Sequence, residues 1–233
     1  MERGEDREAA DDPGSSSGDS GADDADDDGS ASDGDSAEPE PAGVDGTWVV
    51  DTSIGEFGSA CLTDVCNATF VGFRIDEELA RIGAKTVVGR TPGVSGTMTV
   101  EGSTVSSVEV VADMTGLTTD SGSRDSAIRN QAIETARFPE ARFVLTEAIQ
   151  LGSVPEVGSE ITVEAVGELT IHGVTRVETI PLTASFDGDF VVVFGQLGPI
   201  ALSDYDIDKP SAAVVLSVED EATMELQLFF SRP

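Results

Sequence analysis

From Trp48 to the C-terminus the apolar side chains recur mainly at every second position, the period of a strand with one face turned inward. Ile161, Val163, Ala165, Gly167, Leu169 and Ile171 hold one parity over eleven residues, against Thr162, Glu164, Val166, Glu168, Thr170 and His172 on the other. Gly173 permits a tight turn, after which Ile180, Leu182, Ala184 and Phe186 share a face. Asp187-Gly188 is a hairpin signal leading into Phe190 to Phe194. Upstream, Val108, Val110, Ala112 and Met114 face away from Glu109, Val111 and Asp113, and Gly102-Ser103 joins them to a strand from Met98 to Glu101. Trp48 to Asp51, Thr69 to Ile75, Gly83 to Val88, Arg142 to Ile149 and Ala212 to Val218 extend the β pattern, and Met224, Leu226, Leu228 and Phe230 alternate in the last strand. Asp76 to Ile82 reads as a short helical turn.

One stretch breaks the period. Ala127, Ile128, Ala132 and Ala136 fall near helical spacing with few β-branched residues between them, and Phe138-Pro139 stops the pattern. This predicts one helix near residues 125–137, with Ser123 or Asp125 at its N-cap. A lone helix inserted into antiparallel β structure must lie across an opening or over a sheet edge. The expected fold is all-β: an antiparallel barrel of about eight strands, which removes sheet edges and is either filled or holds one small ligand. A sandwich satisfies the same alternation; the long strand and the helix favour the barrel.

Composition divides the chain before Thr47. Residues 1–46 hold seventeen Asp or Glu against two Arg, with Val44 the only large aliphatic residue after Met1. Such a tract cannot bury enough apolar surface to offset chain ordering, so it reads as a disordered acidic tether, with the barrel domain at 47–233. The rest of the chain is acidic too, with twenty-eight acids against eleven bases. Nucleic acid and anionic lipid surfaces, which reward Lys and Arg, are therefore poor partners. Lys85 and Lys209 are the only lysines, a bias that fits either a salt-rich setting or a high-GC genome. No run reaches the roughly 18 apolar residues that cross a bilayer, so no membrane span is expected. MERGEDREAADD lacks the apolar stretch of a signal peptide. Either the chain stays where it is made, or an export segment lies upstream.

Few residues offer chemistry. Cys61 and Cys66 lack zinc-finger spacing and a second Cys pair, and a redox pair is more usually C-x-x-C. A structural disulfide is the preferred reading, which implies an oxidising compartment. His172, the sole histidine, has no acid among its sequence neighbours and reads as a strand-end residue rather than a catalytic one. Asp204, Tyr205 and Asp206 lack calcium-loop spacing, and no Gly-rich phosphate loop is present. No cofactor, metal or catalytic residue is expected. The inward apolar face fills a solid core or lines a cavity; the residues alone lean slightly to the core.

Gly167 to Arg176, GELTIHGVTR, resembles the G-x-L-T-I-x-G-V-T-[RK] signature of the YceI-like family. Arg124-Asp125, Ile128-Arg129 and Phe138-Pro139 through Phe143 are similar to the family's R-D-x-H-L-R…[YF]-P-x-x-x-F run. Trp48 to Asp51 resembles its W-x-[VI]-D opening, and Val88-Gly89 to Gly96 its Gly-rich hairpin. The resemblance extends over residues 47 to about 230. Ala127 stands where the family often has His, Ile133 and Glu134 where an aromatic pair often follows, and the Cys61–Cys66 segment looks inserted. The resemblance implies a lipocalin-like barrel that binds polyisoprenoid or another long-chain lipid; with the disulfide this reads as a non-enzymatic carrier outside the cytoplasm, the alternative being a solidly packed extracytoplasmic interaction or stress-related module with no bound lipid. A homodimer is compatible with it. The cavity lining implied is Phe143, Ile161, Val163, Leu169 and Ile171, with Ile180, Leu182, Phe186 and Phe194 opposite; Arg124 or Arg129 would meet a polar head group at the mouth.

Overall fold

The structure is a computed structural model that describes residues 43–63, 65–79, 83–210 and 215–233. The tether reading of residues 1–42 and the expected strand start at Ala212 lie outside them. In chain order the strands are β1 (Gly46–Val50), β2 (Phe70–Leu79), β3 (Gly83–Thr91), β4 (Val94–Glu101), β5 (Thr104–Asp113), β6 (Glu140–Leu145), β7 (Ile149–Gln150), β8 (Glu160–Ile171), β9 (Val174–Phe186), β10 (Phe190–Ala201) and β11 (Val215–Ser231). The order β1-β4-β5-β6-β8-β9-β10-β11 closes on itself, because β1 also pairs with β11. The result is an eight-stranded antiparallel barrel, as the alternation predicts.

β11 governs how the wall is built. At seventeen residues it spans about 55 Å, longer than the barrel needs. Its last residues close on β1 through Val49↔Ser231 and Val50↔Phe230. Its earlier part pairs instead with β2, from Ala222↔Ile75 to Gln227↔Phe70. The β2–β3 hairpin therefore extends the wall at one end only. There β3 meets the segment after β5 through a single bridge, with the Arg90 and Thr118 amides each donating to the other's carbonyl at 2.9 and 3.0 Å.

The helix covers this discontinuity. It runs as α1 (Gly122–Ala127) and continues into a π turn over Ile128–Ala132, where the Ile133 amide donates to the Ile128 carbonyl. It starts and ends earlier than its spacing predicts. Glu134 takes a left-handed conformation, φ 49°, and collects the Arg137 and Phe138 amides on its carbonyl, so the chain has turned before Pro139. The N-cap expectation also fails. Ser121 occupies that position without a side-chain capping bond, and the buried Asp125 carboxylate accepts from the Thr119 amide and hydroxyl, both at 2.7 Å.

Two further expectations are corrected. Of the helical turn expected over Asp76 to Ile82, residues 80–82 lie outside the described residues, and Asp76 to Leu79 is the end of β2, because β3 supplies partners as far as Glu77↔Lys85 and beyond. The strand expected from Arg142 to Ile149 breaks after Leu145, and β7 returns to the start of β5 through Thr104↔Gln150. At the β1 end the core begins before Gly46. Val44 is buried, and fully buried Trp48 donates its indole N–H to the Val44 carbonyl at 2.8 Å while packing edge-on against Phe186. Gly167 lies on the inward parity of β8 for a steric reason. A Cβ there would stand 2.4 Å from Phe143 Cζ and 2.4 Å from the Val144 carbonyl oxygen, so its absence lets the Phe143 ring lie across the wall.

Candidate functional site

Two apolar cavities run along the barrel interior. The first, about 140 Å³, lies between β4, β5, β6 and the β8–β11 wall. Phe143, Ile161, Val163, Leu169, Ile180, Leu182 and Phe186 line it, on the parity predicted for them. The second, about 130 Å³, lies beneath the helix, between the β2–β3 arm and Ile128, Ala132 and Ile133. Ile171 lines this second space rather than the first, because β8 has by then risen past the partition. Val71, Ala141 and Met224 border both cavities and form that partition.

Phe194 is misplaced by the sequence reading. It is 45% exposed on the outer face, while Val191 and Val193 point inward. Phe190 to Phe194 is apolar at every position, so alternation cannot say which parity is buried. It stands instead beside an outer groove of about 450 Å³ that it shares with Cys66, Arg74 and Glu225.

Arg124 reaches the second cavity, but it is not a free cation. Its Nη2 pairs with Glu77 Oε1 at 2.5 Å and its Nη1 with Asp120 Oδ1 at 2.5 Å. Lys85 Nζ holds the other Asp120 oxygen, and this bond, helped by Arg124, keeps the Asp120 carboxyl below its ordinary range. A helical reading of Asp76 to Ile82 hides Glu77; as strand, Val71, Phe73, Ile75 and Glu77 share the inward parity. An acid on an apolar face needs a buried partner, and Arg124 supplies it. Arg129 lies away from both cavities and donates to the Thr115 and Leu117 carbonyls at 3.4 and 3.5 Å.

Cys61 and Cys66 are joined as a disulfide on the outside of the barrel. Their loop is held by the buried Arg90, which donates to the Cys61 carbonyl at 2.6 Å and pairs with Glu225 at 2.7 Å. Arg74 takes the second Glu225 oxygen at 2.8 Å. Nothing in the local sequence pairs residues 90 and 225; only β2 lying between β3 and β11 brings them together.

His172 sits in the β8–β9 turn at φ 52°, and lines neither cavity. Nδ1 is 3.2 Å from the Tyr205 carbonyl and Nε2 is 3.0 Å from Glu134 Oε2, with Phe138 edge-on. It ties the segment after the helix to the turn before β11. Tyr205 donates to Glu178 Oε1 at 2.9 Å, and burial, reinforced by that carboxylate, pushes its phenol well above the usual value. Among the described residues no group of three or more His, Cys, Asp or Glu side chains is placed to hold a metal ion. No described helix is long and apolar enough to cross a membrane. On β8 the outward Thr162, Glu164 and Glu168 are exposed, so this wall is polar outside and apolar inside, the reverse of a membrane-spanning barrel.

Comparison with known proteins agrees with this geometry. A model of the YceI-like domain matches residues 64–230. The chain belongs to the YceI-like family. Among solved structures, this YceI-like chain is similar to a polyisoprenoid binding domain from Saccharophagus degradans implicated in plant cell wall breakdown. The TM-score is 0.55 at 16% identity, covering 80% of this chain and 98% of that one. It is also similar to BcnA of Burkholderia cenocepacia, with a TM-score of 0.51 at 19% identity, covering 68% and 95%. These share the fold. A UPF0312 protein of Pseudomonas savastanoi pv. phaseolicola is 26% identical over 146 residues, 58% of this chain and 71% of that protein.

Proposed function

We propose that this YceI-like protein is a non-enzymatic carrier that holds the apolar chain of an isoprenoid or other lipid along the barrel axis. The observation that carries the reading is a pair of cavities, almost wholly apolar, inside a barrel whose β8 wall is polar on its outer side. The polyisoprenoid binding domain with the same fold supports the isoprenoid as cargo. Binding would be driven by burial, about 0.8 kcal/mol for each methylene removed from water.

Size sets a condition. A dry apolar cavity of about 150 Å³ holds one benzene-sized molecule, so either space alone takes only a short length of chain. A long chain must run through both, past Val71, Ala141 and Met224. Ala141 offers little obstruction, and Met224, unbranched with three rotatable bonds, can swing aside at small cost. The absence of catalysis rests on His172, whose two nitrogens face Tyr205 and Glu134 away from the cavities. The Cys61–Cys66 disulfide supports an oxidising location outside the cytoplasm.

Native and denaturing mass spectrometry of protein purified without detergent tests the proposal. Extra mass in the native spectrum, lost on denaturation and extractable into organic solvent, is the expected result. Bare protein that takes up no added isoprenoid would overturn it and favour a closed-packed interaction module.

A further inference from the structure

Independently of the carrier reading, we propose that the groove on the outside of the barrel is a second binding site, and that it takes a neutral, linear oligosaccharide. The strand registers lay out its floor. Thr162, Thr183, Phe194, Gln227 and Phe70 stand in one cross-strand row over β8, β9, β10, β11 and β2. Gln196, Glu225, Gly72 and Arg90 form the next row over β10, β11, β2 and β3. Four strand spacings of about 4.8 Å make the first row about 19 Å long. A Cβ at Gly72 would stand 2.6 Å from Arg90 Cγ, so its absence lets Arg90 lie across β2 to reach Glu225. The Cys61–Cys66 loop, which looks inserted against the family pattern, raises one wall, with Cys66 on the groove. The space of about 450 Å³ falls within the roughly 300–1,000 Å³ of small-molecule sites.

The chemistry of the lining selects the occupant. Phe194, in the middle of the first row, offers an exposed ring, with Thr162 and Gln196 exposed and Thr183 half-buried around it. Hydroxyl and amide side chains donate and accept, as sugar hydroxyls do, and the C–H face of a pyranose packs on an aromatic ring. Glu225 accepts from Arg74 at 2.8 Å and from Arg90 at 2.7 Å, so the ionic groups of the floor are bound to one another. A neutral ligand leaves that set intact, whereas a charged one would have to break it. A peptide adding as a strand needs an open sheet edge, and at Phe194 β10 is paired with both β9 and β11. An amphipathic helix needs a run of apolar pockets, where this floor presents Gln227, Glu225 and Arg90. A nucleic acid strand would meet an acidic chain.

The test is isothermal titration calorimetry of the full chain with cellopentaose, xylopentaose and maltopentaose, and with pentagalacturonate as the anionic counterpart. At least one neutral oligomer is expected to bind saturably, and pentagalacturonate about tenfold more weakly or not at all. Phe194→Ala should weaken the neutral oligomer by about tenfold or more, while Phe194→Trp, which keeps an aromatic platform, should retain it. Gln196→Ala should weaken it about fivefold, the worth of one hydrogen bond. All three variants should melt with the parent and take up added isoprenoid as the parent does, because both side chains lie on the outer surface. No saturable binding of any neutral oligomer, or pentagalacturonate binding as tightly, would overturn the inference. So would a neutral oligomer whose binding Phe194→Ala leaves untouched, as for a partner seated elsewhere. Loss of isoprenoid uptake together with the sugar in Phe194→Ala would also overturn it, because the two sites would then not be separate.

Discussion

Replacing Arg124 by Met removes the partner of a carboxylate that the fold has enclosed. Glu77 keeps 5% of its side-chain exposure and Arg124 keeps 17%, while Asp120, the second partner, is 45% exposed. Losing one member of a buried pair costs about 3–5 kcal/mol, because the remaining charge is stranded in low dielectric. Arg124→Met should therefore sit near the lower bound, about 3 kcal/mol, since the Glu77 pocket borders the cavity mouth. Glu77→Met should cost less, about 1–2 kcal/mol, because Arg124 keeps Asp120 and some solvent. The double variant should recover most of the loss, as two apolar side chains of similar volume replace the pair. Urea unfolding of the four proteins, read as a double-mutant cycle, measures the coupling. The pair also fastens the helix to β2 over the second cavity, so the double variant should take up apolar ligand faster. If Arg124→Met unfolds within about 0.5 kcal/mol of the parent, Glu77 is not stranded and the account of this end is wrong.

The other expectations concern more local features. Cys61→Ser with Cys66→Ser should cost about 2 kcal/mol in urea, and reductant should produce the same shift in the parent but none in the double variant. Asp120 has its pKa depressed by Lys85 and Arg124, so its contribution is complete above the unfolded value near 3.8 and fades as pH falls through the lower folded value. Asp120→Asn should accordingly lower the melting temperature at pH 7, and the gap to the parent should close only as pH falls from the unfolded value of 3.8 through the lower folded one. Phe194→Ser should leave stability within about 0.5 kcal/mol and isoprenoid binding unchanged, whereas Leu182→Ala should cost about 2–3 kcal/mol and enlarge the first cavity; calorimetry and isoprenoid titration would show the reverse if Phe194 pointed inward. Gly167→Ala should destabilise by about 1–3 kcal/mol, since its Cβ meets a carbonyl oxygen that cannot swing aside; an unchanged melting curve would refute the close approach of β6 and β8.

Period-two alternation, a property of each segment, was enough to determine the all-β class, the inward faces of β5, β8 and β9, and the position of the helix. It worked best where polar residues interrupt the apolar ones, as from Ile161 to Ile171, and failed where they do not, as at Phe194. Local propensity misjudged Asp76 to Leu79 and the end of the helix, because the deciding partners, β3 for the first and the turn at Glu134 for the second, are tertiary. Closure through β11, and the fork it makes between β1 and β2, follow from pairings between residues more than 130 positions apart, which no window of sequence contains. The Arg90–Glu225 and Arg124–Glu77 pairs depend on those registers, as does the partition between the cavities. Whether an inward apolar face encloses space or fills it turns on how neighbouring strands pack, to within a side chain's width, and that is a property of the assembled barrel.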